Sequence, residues 1–148
     1  MLSKKAKYAL KALFALAQDN VNGQKSMLIA EIARQERIPK KFLEAILLDL
    51  KNDGILYSKR GKTGGYALRK TPDQISVGQV IRVIDGPLAL IPCASQSAFV
   101  PCEECLDVET CAIRLTMRKV RDATASILDS TTLADALKSR RHSVDWVI

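Results

Sequence analysis

The chain has 148 residues, 47% apolar and 26% charged, and its 23 Lys and Arg outnumber its 16 Asp and Glu to give a net charge of +7. That length suits one domain or one domain with an appendage, with enough apolar side chains for a core that needs no disulfides. The opening "MLSKKAKYAL" lacks the apolar centre of a signal peptide and no stretch approaches the ~18 apolar residues of a membrane span, so a membrane protein is excluded and a cytoplasmic chain is expected.

Residues 1–75 carry 15 Lys and Arg against 7 Asp and Glu, whereas residues 76–148 carry 8 against 9. All the excess positive charge therefore lies in the first half, the electrostatic footprint of a nucleic-acid surface, although charge alone also fits a solvated basic face. Ser3 is placed to cap a first helix, "KKAKYALKALFALAQ", where Ala6, Leu10, Leu13 and Ala17 recur at helical spacing and Asn20 to Gly23 end it. The segment "MLIAEIARQERIPKKFLEAILLDLKNDG" predicts two short helices near 28–35 and 39–52, joined through Glu36, Arg37 and Ile38, with Pro39 at the opening of the second. In that second helix Leu43, Ile46, Leu47 and Leu50 take the core face, which leaves Lys40, Lys41, Glu44 and Ala45 outward where a recognition helix meets the major groove.

"GILYSKRGKTGGYALRK" predicts strand, turn and strand, with Gly61, Gly64 and Gly65 in the turn and Arg60 and Lys62 at or near the tip, in reach of phosphates or the minor groove. Helix, turn, helix and a basic hairpin make a winged helix. "RGKTGG" does not match the phosphate-cradling Walker pattern and opens no helix. A further helix from about Ser76 to Ile84, ended by Gly86 and Pro87, closes this part.

All four cysteines fall in "PCASQSAFVPCEECLDVETC", spaced C-x8-C-x2-C-x5-C at Cys93, Cys102, Cys105 and Cys111, with Glu103, Glu104, Asp107 and Glu109 among them. Four thiols so close form a ligand set for tetrahedral zinc or for a binuclear iron-sulfur cluster, and "CEEC" also suits a reversible dithiol switch; spacing leaves all three open. The next stretch, "AIRLTMRKVRDATASILD", sets Ile113, Met117, Val120, Thr124 and Ile127 four, three, four and three apart, a heptad-like seam for which a partner subunit is the economical cover and packing on its own domain the alternative. "STTLADAL" follows as a short helix with Thr132 and Asp135 at capping-box spacing, before a basic tail that holds the one histidine, His142, and the one tryptophan, Trp146.

In order and wording these parts resemble the winged-helix transcription regulators typified by the iron-sulfur cluster regulator IscR and the nitric-oxide sensor NsrR. The likeness is carried by "KKAKYALKALFALA", "IAEIARQERIPKKFLEAILLDLKNDGILYSKRGKTGGYAL", "ISVGQVIRVIDG", the cysteine segment and "TTLADAL". It implies a mainly α fold with a small β-hairpin wing, organised as a winged helix-turn-helix domain over 1–86 and a cysteine-containing sensor loop over 87–111. A dimerisation helix and short closing helix over 112–137 and a basic tail over 138–148 complete it.

The resemblance further implies a homodimer that sets two recognition helices and two wings on a palindromic operator of double-stranded DNA, acting as a repressor. Lys40, Lys41 and Glu44 would then supply specificity, and Arg60, Lys62 and the lysines of the first helix salt-dependent affinity. In cluster-binding relatives three cysteines precede and open the long helix, the last two separated by five residues, as Cys105 and Cys111 are, with Cys93 as the first. The fourth ligand there is a histidine three residues on, where this chain has Arg114, or an acid in the first helix, where it has "KKAKY". Cys102 or a neighbouring carboxylate is left to complete a 2Fe-2S ligand set, with structural zinc, a thiol switch or another signal as the alternative. An enzyme is not expected: the one histidine lies in the tail and no carboxylate pair has a catalytic setting.

Overall fold

Ser3 opens the first helix, its Oγ accepting a 2.9 Å hydrogen bond from the Ala6 N–H. The computed structural model describes residues 2–23, 26–62 and 64–142, with the backbone alone at 141 and 142; the tail beyond, with Trp146, and the His142 side chain lie outside the described residues. Helix α1 (Lys4–Val21) buries a face rich in alanine, including Ala6, Ala9, Ala12 and Ala17 together with Leu13 and Leu16. Small side chains there bring the neighbouring helices close.

Helices α2 (Ile29–Glu36) and α3 (Lys40–Asn52) fall within a residue of the predicted spans. Pro39 stands just before α3 with ψ 128°, where its missing N–H costs nothing while its carbonyl accepts from the Leu43 N–H at 3.1 Å. Leu43, Ile46, Leu47 and Leu50 are buried, as their spacing predicts, in one core with Leu13, Ile32, Ile55, Leu56, Val80 and Leu133. Each such side chain contributes about 1.5–3 kcal/mol by leaving water.

Strands β1 (Leu56–Lys59) and β2 (Gly65–Leu68) pair antiparallel, Leu56 opposite Leu68 and Lys59 opposite Gly65. Helix α4 (Val77–Asp85) follows, capped by the Ser76 Oγ on the Gln79 N–H at 3.1 Å and ended by Gly86. Helices α5 (Ala112–Ser130) and α6 (Leu133–His142) come after the cysteine segment. Their junction is stitched to the segment that enters α4: the Val77 N–H donates to Thr131 O and the Leu133 N–H to Ile75 O, each at 2.9 Å. Thr132 and Asp135 form the predicted capping box, with the Asp135 N–H on Thr132 Oγ1 and the Thr132 N–H on Asp135 Oδ2, both 3.1 Å. From there α6 continues through Lys138 and Arg140, good helix formers uninterrupted by Gly or Pro, into the segment expected as tail.

The architecture is thus mainly α with a small hairpin wing. No helix among the described residues is long and apolar enough to cross a membrane.

Candidate nucleic-acid interface and cysteine segment

Lys40, Lys41, Glu44 and Ala45 are exposed on the first turns of α3, the face left over once the core side is buried. No acidic residue lies in that first turn, so the two lysines add to the positive end of the helix dipole. Phe42, 63% exposed, and Leu48, 50% exposed, stand among the polar positions. Attention to charge overlooks them, although their places off the buried face follow from the same helical spacing.

Arg60 and Lys62 are exposed in the connection between β1 and β2. The wing is tied to the helix-turn-helix by main chain: Met27, just ahead of α2, donates its N–H to Tyr66 O at 3.0 Å and accepts the Tyr66 N–H at 2.8 Å. This approach needs glycine at Gly65, where φ is +119° and a Cβ would stand 2.0 Å from Met27 O. At the far end of α3, Asp49 pairs with Lys5 of α1 at 2.7 Å. Helix α3, the wing and α1 therefore share one frame.

The cysteine segment is held by arginines of α5. Arg114 donates from Nε to Cys93 O at 2.8 Å and from Nη1 to Val108 O at 3.1 Å, and its guanidinium lies 5.7 Å from the Phe99 ring centre. One heptad on, Arg121, the buried residue of α5, donates from Nη1 to Ala94 O at 2.5 Å and from Nε to Asp122 at 2.8 Å. Sequence reading missed both roles; an arginine seven residues after another on a helix with an apolar seam was the available signal. Asp107 shapes the approach to Cys111 by accepting from the Glu109 N–H at 2.9 Å and the Thr110 hydroxyl at 2.8 Å, and the Thr110 hydroxyl foremost holds its carboxyl below the ordinary 3.8.

The structure brings the four thiols into one neighbourhood. All are free, Cys102 exposed and Cys93, Cys105 and Cys111 half-buried, and the Cys105 N–H closes a turn on Cys102 O at 3.2 Å. Cys105 feels the other three: removal from water raises its pKa above the ordinary 9.0, and the Cys102 thiol, which hydrogen-bonds to it, then Cys111 and Cys93 push the same way. Cys111 is the cap residue of α5, at the end of the helix where the dipole favours negative charge. Among the described residues no three His, Cys, Asp or Glu side chains are set to hold a metal ion as they stand. The donor chemistry, four thiols around one loop, nonetheless suits thiolate-bound zinc or an iron-sulfur cluster.

Helix α5 also reaches the recognition half. Arg82 of α4 grips both oxygens of Asp129, Nη1 to Oδ1 at 2.6 Å and Nη2 to Oδ2 at 2.9 Å, and the Asp129 carboxyl is held below its ordinary 3.8 chiefly by that bond. Along the rest of α5 the apolar seam is left to solvent, with Ile113 at 66%, Val120 at 38% and Ile127 at 65% exposure. Met117 and Thr124, also on the seam, are half-buried.

Comparison with known families gives one match over residues 2–139, to the model described as Rrf2, iron-dependent transcriptional regulator. The chain belongs to the Rrf2 family. A relative from Rhodobacter capsulatus, named as an rrf2-like HTH-type transcriptional regulator, is 44% identical over 138 residues, covering 93% of this chain and 92% of its own. Among solved Rrf2 structures, T. potens IscR matches with a TM-score of 0.75 and 29% identity over 97% of this chain and 90% of that one. CymR of B. subtilis, described as its global cysteine regulator, matches with a TM-score of 0.74 and 31% identity over 94% and 97%. This Rrf2 chain is therefore a winged-helix transcriptional regulator that binds DNA, and not an enzyme.

Proposed function

We propose that the chain is a cytoplasmic homodimeric repressor that reads a palindromic operator and adjusts its grip on DNA through an iron-sulfur cluster, of the 2Fe-2S type, on the cysteine segment. What carries this reading is the layout of α5. Its first residues follow Cys111, its arginines hold the backbone at Cys93 and Ala94, and its last turns are paired to α4 of the DNA-reading half through Arg82 and Asp129. A change in the cysteine loop has a direct mechanical route to the recognition helix.

In this reading Lys40, Lys41 and Glu44 meet base edges, and Arg60 and Lys62 meet phosphates, which suits their exposure on α3 and in the wing. The seam of Ile113, Val120 and Ile127 is buried by a second copy of α5, which removes an apolar stripe from water. Cys93, Cys102, Cys105 and Cys111 hold the cluster, which supplies sensitivity to oxygen and redox state when bound. Arg114, at the place of a ligand in some relatives, keeps instead to the carbonyls of Cys93 and Val108 and fixes the loop that presents the thiols.

The likeness to CymR, described as a cysteine regulator, and the tight turn that joins Cys102 to Cys105 favour a second reading, in which the same dimer carries structural zinc or a thiol switch, or answers a metabolite or protein signal. Purification without oxygen, with iron, sulfide and zinc counted per chain beside the visible spectrum, decides between them. Iron and sulfide in equal amounts, with a colour that air bleaches, support the cluster. Zinc without colour, or no metal, removes it.

A further inference from the structure

Arg37, in the turn between α2 and α3, adopts φ 54° and ψ 49° and, among the described residues, is the non-glycine residue with positive φ. Elsewhere the chain gives such backbone to glycine, at Gly23, Gly54, Gly61, Gly65 and Gly86. An arginine in that region is strained, and strain that a glycine would relieve is kept where the side chain has work to do. Yet the Arg37 side chain is exposed and its guanidinium has no hydrogen-bond or ion-pair partner among the described residues. Folding alone gives it no role.

Its base is rigid. The Arg37 N–H is bonded to Ala33 O, the Lys11 ammonium donates to the carbonyl of Glu36 just before it, and Ile38 just after it is buried. Its surroundings are cationic: from Arg34 to Lys41 the sequence "RQERIPKK" holds four cations and one acid, and ends on the lysines that open α3. An unpaired guanidinium on a held backbone, three residues ahead of the first residue of α3, has the donors to take a phosphate oxygen pair.

We infer that Arg37 is a DNA-backbone contact, its left-handed turn aiming the guanidinium at a phosphate beside the groove that α3 enters. This rests on the reading of α3 as the recognition helix. Arg37 then grips the backbone from the turn ahead of α3 while the wing follows α3 in the chain, so that α3 is braced on the backbone from two elements.

The test is fluorescence anisotropy of the full-length chain on a labelled 30-base-pair duplex of mixed sequence, titrated at several salt concentrations, since a phosphate contact is felt on any sequence. The variants are Arg37→Gly, Arg37→Gln and Arg37→Lys, each also melted thermally. Taking one cation off a phosphate lowers the slope of log affinity against log salt by about 0.9 for every copy bound. The Gly and Gln variants should lose that much slope and bind several-fold more weakly, Gly melting no lower than wild type, while Lys keeps the slope. An unchanged slope in Gln, with wild type binding normally, overturns the inference and leaves the recognition helix standing. Wild type that shows no salt-dependent binding overturns both.

Discussion

Arg82 and Asp129 lie 47 residues apart, yet each oxygen of the carboxylate takes one guanidinium nitrogen, so α4 and α5 are clasped at one point. Gly78 makes room for the clasp, because a Cβ there would stand 2.1 Å from Asp129 Oδ1. Both partners are more than a third exposed, so solvent screens the pair and its worth lies in geometry.

Asp129→Asn should therefore cost less than about 1 kcal/mol of stability at neutral pH. The Asp129 carboxyl is held below its ordinary 3.8, so its contribution is present above that value and is lost as pH falls through the lower folded one. Thermal melts of wild type and variant should differ at pH 7 and converge in strong acid. A greater effect is expected on the response of DNA affinity to the state of the cysteines, measured by anisotropy before and after oxidation.

Gly65→Ala should be among the most damaging single changes. Backbone strain alone costs about 1–3 kcal/mol, and the clash with Met27 O adds to it. A lower urea midpoint together with weaker DNA binding checks it; a variant as stable as wild type would mean that the wing does not lean on Met27.

Replacing Arg121 with Met keeps much of its length but leaves the Ala94 carbonyl without its partner, at a cost of about 1–3 kcal/mol. Arg114→Ala should free the carbonyls of Cys93 and Val108. Both variants should speed the reaction of Cys93 and Cys111 with a thiol reagent, read by mass spectrometry of labelled peptides, while Cys102, already exposed, changes little.

Glutamate at Val120 and Ile127 together adds charge to the exposed seam without touching the core of a single copy. Sedimentation should show the wild type as a dimer and this variant as a monomer of retained helicity. A variant that still sediments as a dimer would place the interface elsewhere.

Much of this was legible in the sequence, for particular reasons. Leu43, Ile46, Leu47 and Leu50 announce their face because a helix repeats every few residues, and Ser3, Ser76 and Thr132 announce helix starts because a cap is a local bond. Contacts between distant residues leave no such mark. Arg82 with Asp129, Arg114 with Cys93, and Met27 with Tyr66 each join parts whose proximity only the fold creates. The same holds for the strain at Arg37, since nothing in "RQERIP" demands a left-handed residue there. The continuation of α6 to His142 was hidden by its charge, which reads as tail although lysine and arginine are sound helix formers.

The pairing of Met27 with Tyr66 removes a degree of freedom. Both main-chain bonds tie the wing to the segment that opens the helix-turn-helix, and Lys5 with Asp49 adds a tie between α1 and α3. In the proposed mechanism, a disturbance arriving along the roughly 28 Å of α5 would displace α3 and the wing together rather than one against the other. If the chain works as the dimer proposed above, its regulation is a matter of aim, like calipers whose jaws keep their shape while the gap between them changes.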